Sequence, residues 1–289
     1  MAVADPVSQE TRLRPRYAVI AALGGICLFA AAALQATGPQ AKVSELTVQL
    51  LVTSKRGSLE VIGTVINGLG LLGLAATLAF LFTATRSRKP GMSQATWYTA
   101  IGGGVLAAVG GIAYGIAITS KAHDFATHGA QTYPQANALL GGGALAALQY
   151  AGLVGSLLLA ISFVLIALNA MRVGLLTKFM GYLGMIAAGA SLLLIGSAPA
   201  LLIEVFWLLA AGYLLSGRWP NGEPAAWRTG KAEPWPTAAE VREQRQDATA
   251  KRRNGRGETR PSKPEPAPVA TAPQQTRATT PKRKRKRRK

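Results

Sequence analysis

Residues 17–37 form a run of twenty-one positions without one charged side chain. At 1.5 Å per residue a helix of that length rises about 31 Å, which matches the hydrocarbon core of a bilayer. Further apolar blocks follow at 59–83, 97–119, 144–170, 176–195 and 199–216, and the charged residues fall almost entirely between and after them. This segregation predicts an all-α polytopic membrane bundle of about six transmembrane helices. The last two blocks are joined by Gly196, Ser197, Ala198 and Pro199, a tight hairpin with proline as its breaker. The expected organisation is a cytoplasmic N-terminal segment at 1–16, a six-span membrane domain at 17–216, a proximal cytoplasmic tail at 217–251 and a disordered Pro-rich basic tail at 252–289.

Orientation follows from the loops, because Lys and Arg are retained on the cytoplasmic side. With the amino terminus inside, the inner segments hold Arg12, Arg14, Arg16, Arg86, Arg88, Lys89, Arg172 and Lys178, against Lys42, Lys55, Arg56 and Lys121 outside. Both termini are therefore expected in the cytoplasm. The arginines before the first block would also suit a secretory signal, but its apolar run exceeds the ~7–15 residues of such a signal, which favours an anchor. The single cysteine, Cys27, lies within that block, so no intrachain disulfide can form.

Small residues recur every four positions in the third block, at Gly103, Ala107, Gly111 and Gly115, and beside the fourth, at Gly143, Ala147, Ala151 and Gly155. Membrane helices associate where small side chains let backbones approach. Two such stripes on consecutive helices predict close packing of one on the other, with a homo-oligomer face as the alternative.

One acidic residue lies well inside an apolar block, Glu204, about 7 Å below the outer boundary when counted from Pro199. Ionisable groups in a membrane are costly and count by default as functional candidates. Asn67, Tyr114, Gln149 and Tyr150 fall at comparable depth, and inward-facing they would gather donors around the carboxylate. Such a cluster would bind a proton, a cation or a small polar ligand; the alternative is polar glue between helices.

His123, Asp124 and His128 could ligate zinc from an outer loop. Their spacing does not match the i, i+4 pair of a helical metal site, and no fourth ligand is apparent, so a solvated loop is the plainer reading. In the first outer loop Val43, Leu46, Val48, Leu50, Leu51 and Val52 lie among polar residues and predict a short amphipathic interfacial helix. Glu60 reads as a helix N-terminal carboxylate favoured by the dipole.

From Arg218 onward the chain carries 20 Lys/Arg against 7 Asp/Glu, +13 of its total +19. Trp219 suits the headgroup region, and Trp227 and Trp235 are expected to hold the proximal tail there. Thr237 with Glu240 forms a capping box for a short polar helix to about residue 251. Prolines at 261, 264, 266, 268, 273 and 281 then forbid regular structure. The chain ends in eight consecutive cations, Lys282, Arg283, Lys284, Arg285, Lys286, Arg287, Arg288 and Lys289. Tethered to a bilayer, these meet anionic lipid headgroups first, at about 1 kcal/mol per cation. Nucleic acid or an acidic protein would also be held through such charges, although no aromatic residue follows Trp235 to stack on bases.

Residues 178–184, reading Lys-Phe-Met-Gly-Tyr-Leu-Gly, resemble a group of bacterial integral membrane proteins with six predicted helices. So do Phe206, Trp207, Leu208 and Leu209 running to Gly217, Arg218, Trp219 and Pro220, and Ala225, Ala226, Trp227, Arg228, Thr229 and Gly230 with Pro234, Trp235 and Pro236. That group carries no established activity, so the resemblance implies architecture and an inner-membrane setting. No nucleophile elbow, metalloprotease histidine pair or phosphate loop occurs, and Ser156 after Gly155 has no intramembrane histidine to activate it. No catalysis and no cofactor are expected. The sequence leaves two functional readings, an anchored protein acting through its basic tail and a small transporter or sensor built around Glu204.

Overall fold

A computed structural model describes residues 6–37, 39, 45–193, 198–220 and 222–235, with 240, 242, 246 and 247 beyond them. The described residues are helical wherever they are regular. Four helices are long and apolar enough to cross a membrane: α1 (Pro6–Ala36), α3 (Ser58–Arg88), α4 (Ala95–Thr127) and α6 (Gly143–Arg172). Two more apolar helices, α7 (Lys178–Leu193) and α8 (Ala198–Leu215), have 16 and 18 residues. At 1.5 Å per residue they reach about 24 and 27 Å, just short of the hydrocarbon thickness. Residues 194–197 of the expected hairpin lie outside the described residues. Pro199 falls in the first turn of α8, where a missing N–H breaks no helical bond.

These six helices alternate in direction. α1 packs on α3 and α8, α3 on α4, α4 on α6, α6 on α7, and α7 on α8, closing a ring. Three short helices sit at the ends. α2 (Leu46–Arg56) and α5 (Tyr133–Leu140) lie at one end, called here the loop end, and α9 (Ala225–Thr229) lies at the other, the capped end.

The stripes of small residues do pack on one another, in a slightly different register. A Cβ on Gly103 would come within 2.7 Å of the Leu159 backbone nitrogen, and one on Gly110 within 2.8 Å of that of Gly152. Gly155 lies against the Ala107 backbone. The four-residue period drifts around a helix of 3.6 residues per turn, so Gly110 and Gly152 replace the expected Gly111 and Ala151. Gly115 turns instead to Thr64 of α3. Ser162 adds a hydroxyl bond to Thr99 across the same interface, at 2.7 Å.

The segment expected as the first outer loop is helical at Leu46–Arg56, but it packs on protein. Leu50 of α2 is buried with Ala122 and Phe125 of α4 and Ala136 of α5. That small core carries α4 eight residues beyond the expected boundary at 119, so His123 and Asp124 stand on its last turns and not in a loop. Arg56 at the end of α2 is buried and caps α1. It donates to the carbonyls of Leu34, Gln35 and Thr37 at 3.0–3.1 Å and to Glu60 at 2.8 Å. Terminal carbonyls that no helical N–H can reach thus gain a cationic donor. Glu60 is accordingly an ion-pair partner as well as a first-turn carboxylate of α3.

The compact unit containing the bundle runs from Met1 to Trp235; Pro236–Lys289 is a second unit. Of the polar helix expected at 237–251, Glu240, Arg242, Gln246 and Asp247 are described, helical and exposed. The capping residue Thr237, the segment from 252 and the eight terminal cations lie outside the described residues.

Candidate functional site

In the half of the bundle nearest the loop end, the walls of α1, α3, α6, α7 and α8 stand apart around a cavity of about 580 Å³. Most of its lining is aliphatic, including Leu71, Leu74, Leu157 and Leu201, with Phe163 among the aromatic contributions. Phe163 meets Trp207 edge-on, with ring centres 4.4 Å apart. Trp207 is fully buried one turn beyond Glu204 and donates its ring N–H to the Met180 carbonyl at 3.0 Å. α6, α7 and α8 are thereby locked together below the cavity.

Five polar residues line this apolar space: Glu204 from α8, Ser191 from α7, Asn67 from α3, Gln35 from the last turn of α1 and Ser156 from α6, whose hydroxyl bonds the Gly152 carbonyl at 2.9 Å. Glu204 and Asn67 are half-buried. The Ser191 hydroxyl lies 3.0 Å from the Ala187 carbonyl and 3.4 Å from a Glu204 carboxylate oxygen, and its single O–H can donate to one or the other. No Lys or Arg lines the cavity, and among the described residues Glu204 has no ion-pair partner. Asn67 makes no hydrogen bond among the described residues.

Of the five residues expected to form this cluster, the structure brings Glu204 and Asn67 onto one cavity. Gln149 and Tyr150 lie one turn nearer the loop end than the lining residues Leu153 and Val154, and both are exposed, Tyr150 by 65%. Tyr114 is half-buried on α4, which contributes nothing to the lining because it packs on the outer side of α3 and α6. Depth along a helix was therefore a sound guide, and facing direction was not. Gln35, Ser156 and Ser191 line the cavity without belonging to the cluster expected from the sequence. For Ser191 a signal existed: about a hairpin centred between 197 and 198, position 191 stands opposite 204.

His123 and His128 are exposed, and His128 meets its neighbour Thr127 at 2.7 Å. Among the described residues no three His, Cys, Asp or Glu side chains gather as a metal site.

The capped end holds a second polar cluster, one that closes the fold. Trp227, expected at the headgroups, is only 3% exposed. Its ring stacks near Phe80, with centres 6.0 Å apart, and its N–H reaches the Leu175 carbonyl at 2.9 Å. Arg14 and Arg88 place their guanidinium groups 4.5 and 5.5 Å from the ring centre. Arg88, with no side-chain exposure, also forks onto Glu10 at 2.8 and 3.0 Å and onto the Ala226 carbonyl, while Arg14 pairs with Glu223. Trp235 donates to the Leu176 carbonyl at 2.8 Å, and the Glu233 backbone N–H to that of Val173 at 3.1 Å. Gly174 makes this docking possible: its φ is +80° and a Cβ there would strike the Glu233 carbonyl. Residues 222–235 are thus a strap folded back on the bundle. The tryptophans find backbone carbonyls left over by the turn between α6 and α7, and these are better partners than a wet headgroup layer.

Compared with known proteins, the chain matches no family model, no curated protein and no solved structure.

Proposed function

We propose that this is a six-span inner-membrane protein, with both termini cytoplasmic, that binds a small amphipathic ligand carrying a protonated amine in the cavity around Glu204. The observation that carries the reading is the unpaired carboxylate on the wall of a largely apolar cavity of about 580 Å³. That volume lies within the ~300–1,000 Å³ of small-molecule sites, whose specificity comes from a few convergent polar groups. An ammonium group would supply the charge partner that no described residue provides, the Asn67 and Gln35 amides would orient a polar substituent, and the aliphatic wall would take the remainder. With the positive-inside orientation the cavity occupies the outer half, which suits a sensor or a transporter drawing its ligand from outside.

The test is thermal stabilisation of the purified full chain by a panel of apolar primary amines and their uncharged alcohol isosteres. A ligand at a hundred times its Kd stabilises by about 2.7 kcal/mol. The amines are expected to raise the melting temperature by several degrees more than the alcohols, and Glu204→Gln is expected to fold normally and abolish that difference. Equal shifts by amines and alcohols, or an unchanged difference in Glu204→Gln, would refute the reading.

The charge distribution supports a second activity for the same molecule. The net +13 after position 217, ending in eight cations, suits electrostatic adhesion of the tail to anionic lipid or to another acidic partner. Anchoring and ligand binding then reside in separate parts of one chain.

A further inference from the structure

A second cleft, of about 480 Å³, opens at the capped end between the last turn of α3 and the first turn of α4. Its floor is the buried ring of Phe82, and around it stand Arg86, Gln94, Trp97 and Tyr98. Trp97 and Tyr98 meet edge to face, with ring centres 5.2 Å apart, and Tyr98 is 60% exposed. Each of the four can donate a hydrogen bond. Among the described residues none of their side chains forms a hydrogen bond or an ion pair. Arg14 and Arg88, by contrast, are paired with Glu223 and Glu10. Glu10 borders the cleft, accepting from the lining residue Ser87 at 2.9 Å, and its fork with Arg88 already balances its charge. Arg86 is left as an uncompensated cation in a cleft of donors.

The depth of the cleft fits a headgroup. α3 has 31 residues and so extends about 46 Å, well beyond a hydrocarbon core of about 30 Å, which puts its last turn among headgroups. Trp and Tyr concentrate at that level, and basic pockets between membrane helices take anionic headgroups. We propose that this cleft is a binding site for the phosphate of one anionic phospholipid, with Arg86 as its charge partner, Gln94, Trp97 and Tyr98 as donors, and an acyl chain running along the α3–α4 face. The site is separate from the Glu204 cavity and from the basic tail, and it requires only that α3 and α4 span a bilayer. A zwitterionic choline lipid would bring its own ammonium group towards Arg86, so the cleft favours a net negative headgroup.

The test is native mass spectrometry of the full chain in detergent with added phosphatidylglycerol or phosphatidylcholine, at high ionic strength to screen the tail. The wild type is expected to retain one phosphatidylglycerol, and no phosphatidylcholine, that survives replacement of the eight terminal cations by glutamine. Arg86→Gln is expected to weaken that retention at least about tenfold, as loss of a charged hydrogen-bond partner does, while Arg86→Lys keeps part of it. Tyr98→Phe, at an exposed position, is expected to weaken it a few-fold, and it decides the matter where Arg86→Gln fails to fold. Undiminished retention in both variants, equal retention of the choline lipid, or displacement by an excess of inorganic phosphate would each overturn the proposal. The last would mark a free-anion site instead.

Discussion

Arg88 shows most sharply how single residues hold this molecule together. Its side chain has no exposure, it forks onto Glu10, and it bonds the carbonyls of Ala84 and Ala226. Removing one partner of a buried ion pair costs about 3–5 kcal/mol, because the other is left charged and unpaired. Arg88→Gln is therefore expected to lower the melting temperature substantially. The double variant Glu10→Gln, Arg88→Gln is expected to lose less than Arg88→Gln alone, a pattern that a melting-curve cycle would read directly. If the double variant is the less stable of the two, the pair contributes packing and not charge. At the same scale Arg56 makes the corresponding closure at the loop end, capping α1 from α2. The two arginines counted from the sequence as ordinary loop charges are thus structural, while Arg86, two residues before Arg88, has no described partner and lines a cleft.

Among the elements, the α4–α6 interface and the strap carry separate predictions. Gly110→Leu would drive a side chain into the Gly152 backbone, now 2.8 Å from a bare Cβ position. Overpacking at such a contact typically costs 1–3 kcal/mol, so the variant is expected to melt earlier, while Gly111→Leu, whose Cβ would meet nothing within 4 Å, is expected to be tolerated. Equal melting of the two would contradict the register described here. For the strap, a chain ending at Trp235 is expected to melt like the full protein and to lose only what the tail binds. A chain ending at Pro220 lacks Trp227 and Trp235 and is expected to be clearly less stable, with Phe80, Arg14 and Arg88 uncovered. Partner-capture experiments on the tail should use the longer of the two, since the shorter confounds tail loss with damage to the bundle. Much of this element layer was legible beforehand. Long charge-free runs must be helices in a bilayer, and stripes of small residues mark where two of them touch. The strap was not legible, because residues 222–235 are rich in Pro and Gly and short of apolar periodicity. Their tryptophans are satisfied by carbonyls more than fifty positions away in sequence. α5 and the far end of α4 were hidden for a similar reason, a small local core that no single segment's pattern displays.

On the scale of the whole molecule, the two ends have different tasks. The capped end is tied by salt bridges, tryptophans and the strap. The loop-end half holds the cavity, where α7 and α8 are short and α1 and α3 leave Gln35 and Asn67 beside Glu204. The candidate site was half legible from sequence: a lone acid in an apolar run announces itself, but which polar neighbours share its face depends on helix rotation that the residue pattern does not set. The central proposal is that this cavity takes its amine ligand from the outer side. Its most direct test is Ser191→Cys, in a chain whose only native thiol has been removed by Cys27→Ser, treated in intact cells with a membrane-impermeant maleimide. Labelling from outside that an excess of a stabilising amine suppresses is the predicted result. A thiol that reacts only from the cytoplasmic side of inverted membranes, or reacts from neither side, would contradict the account.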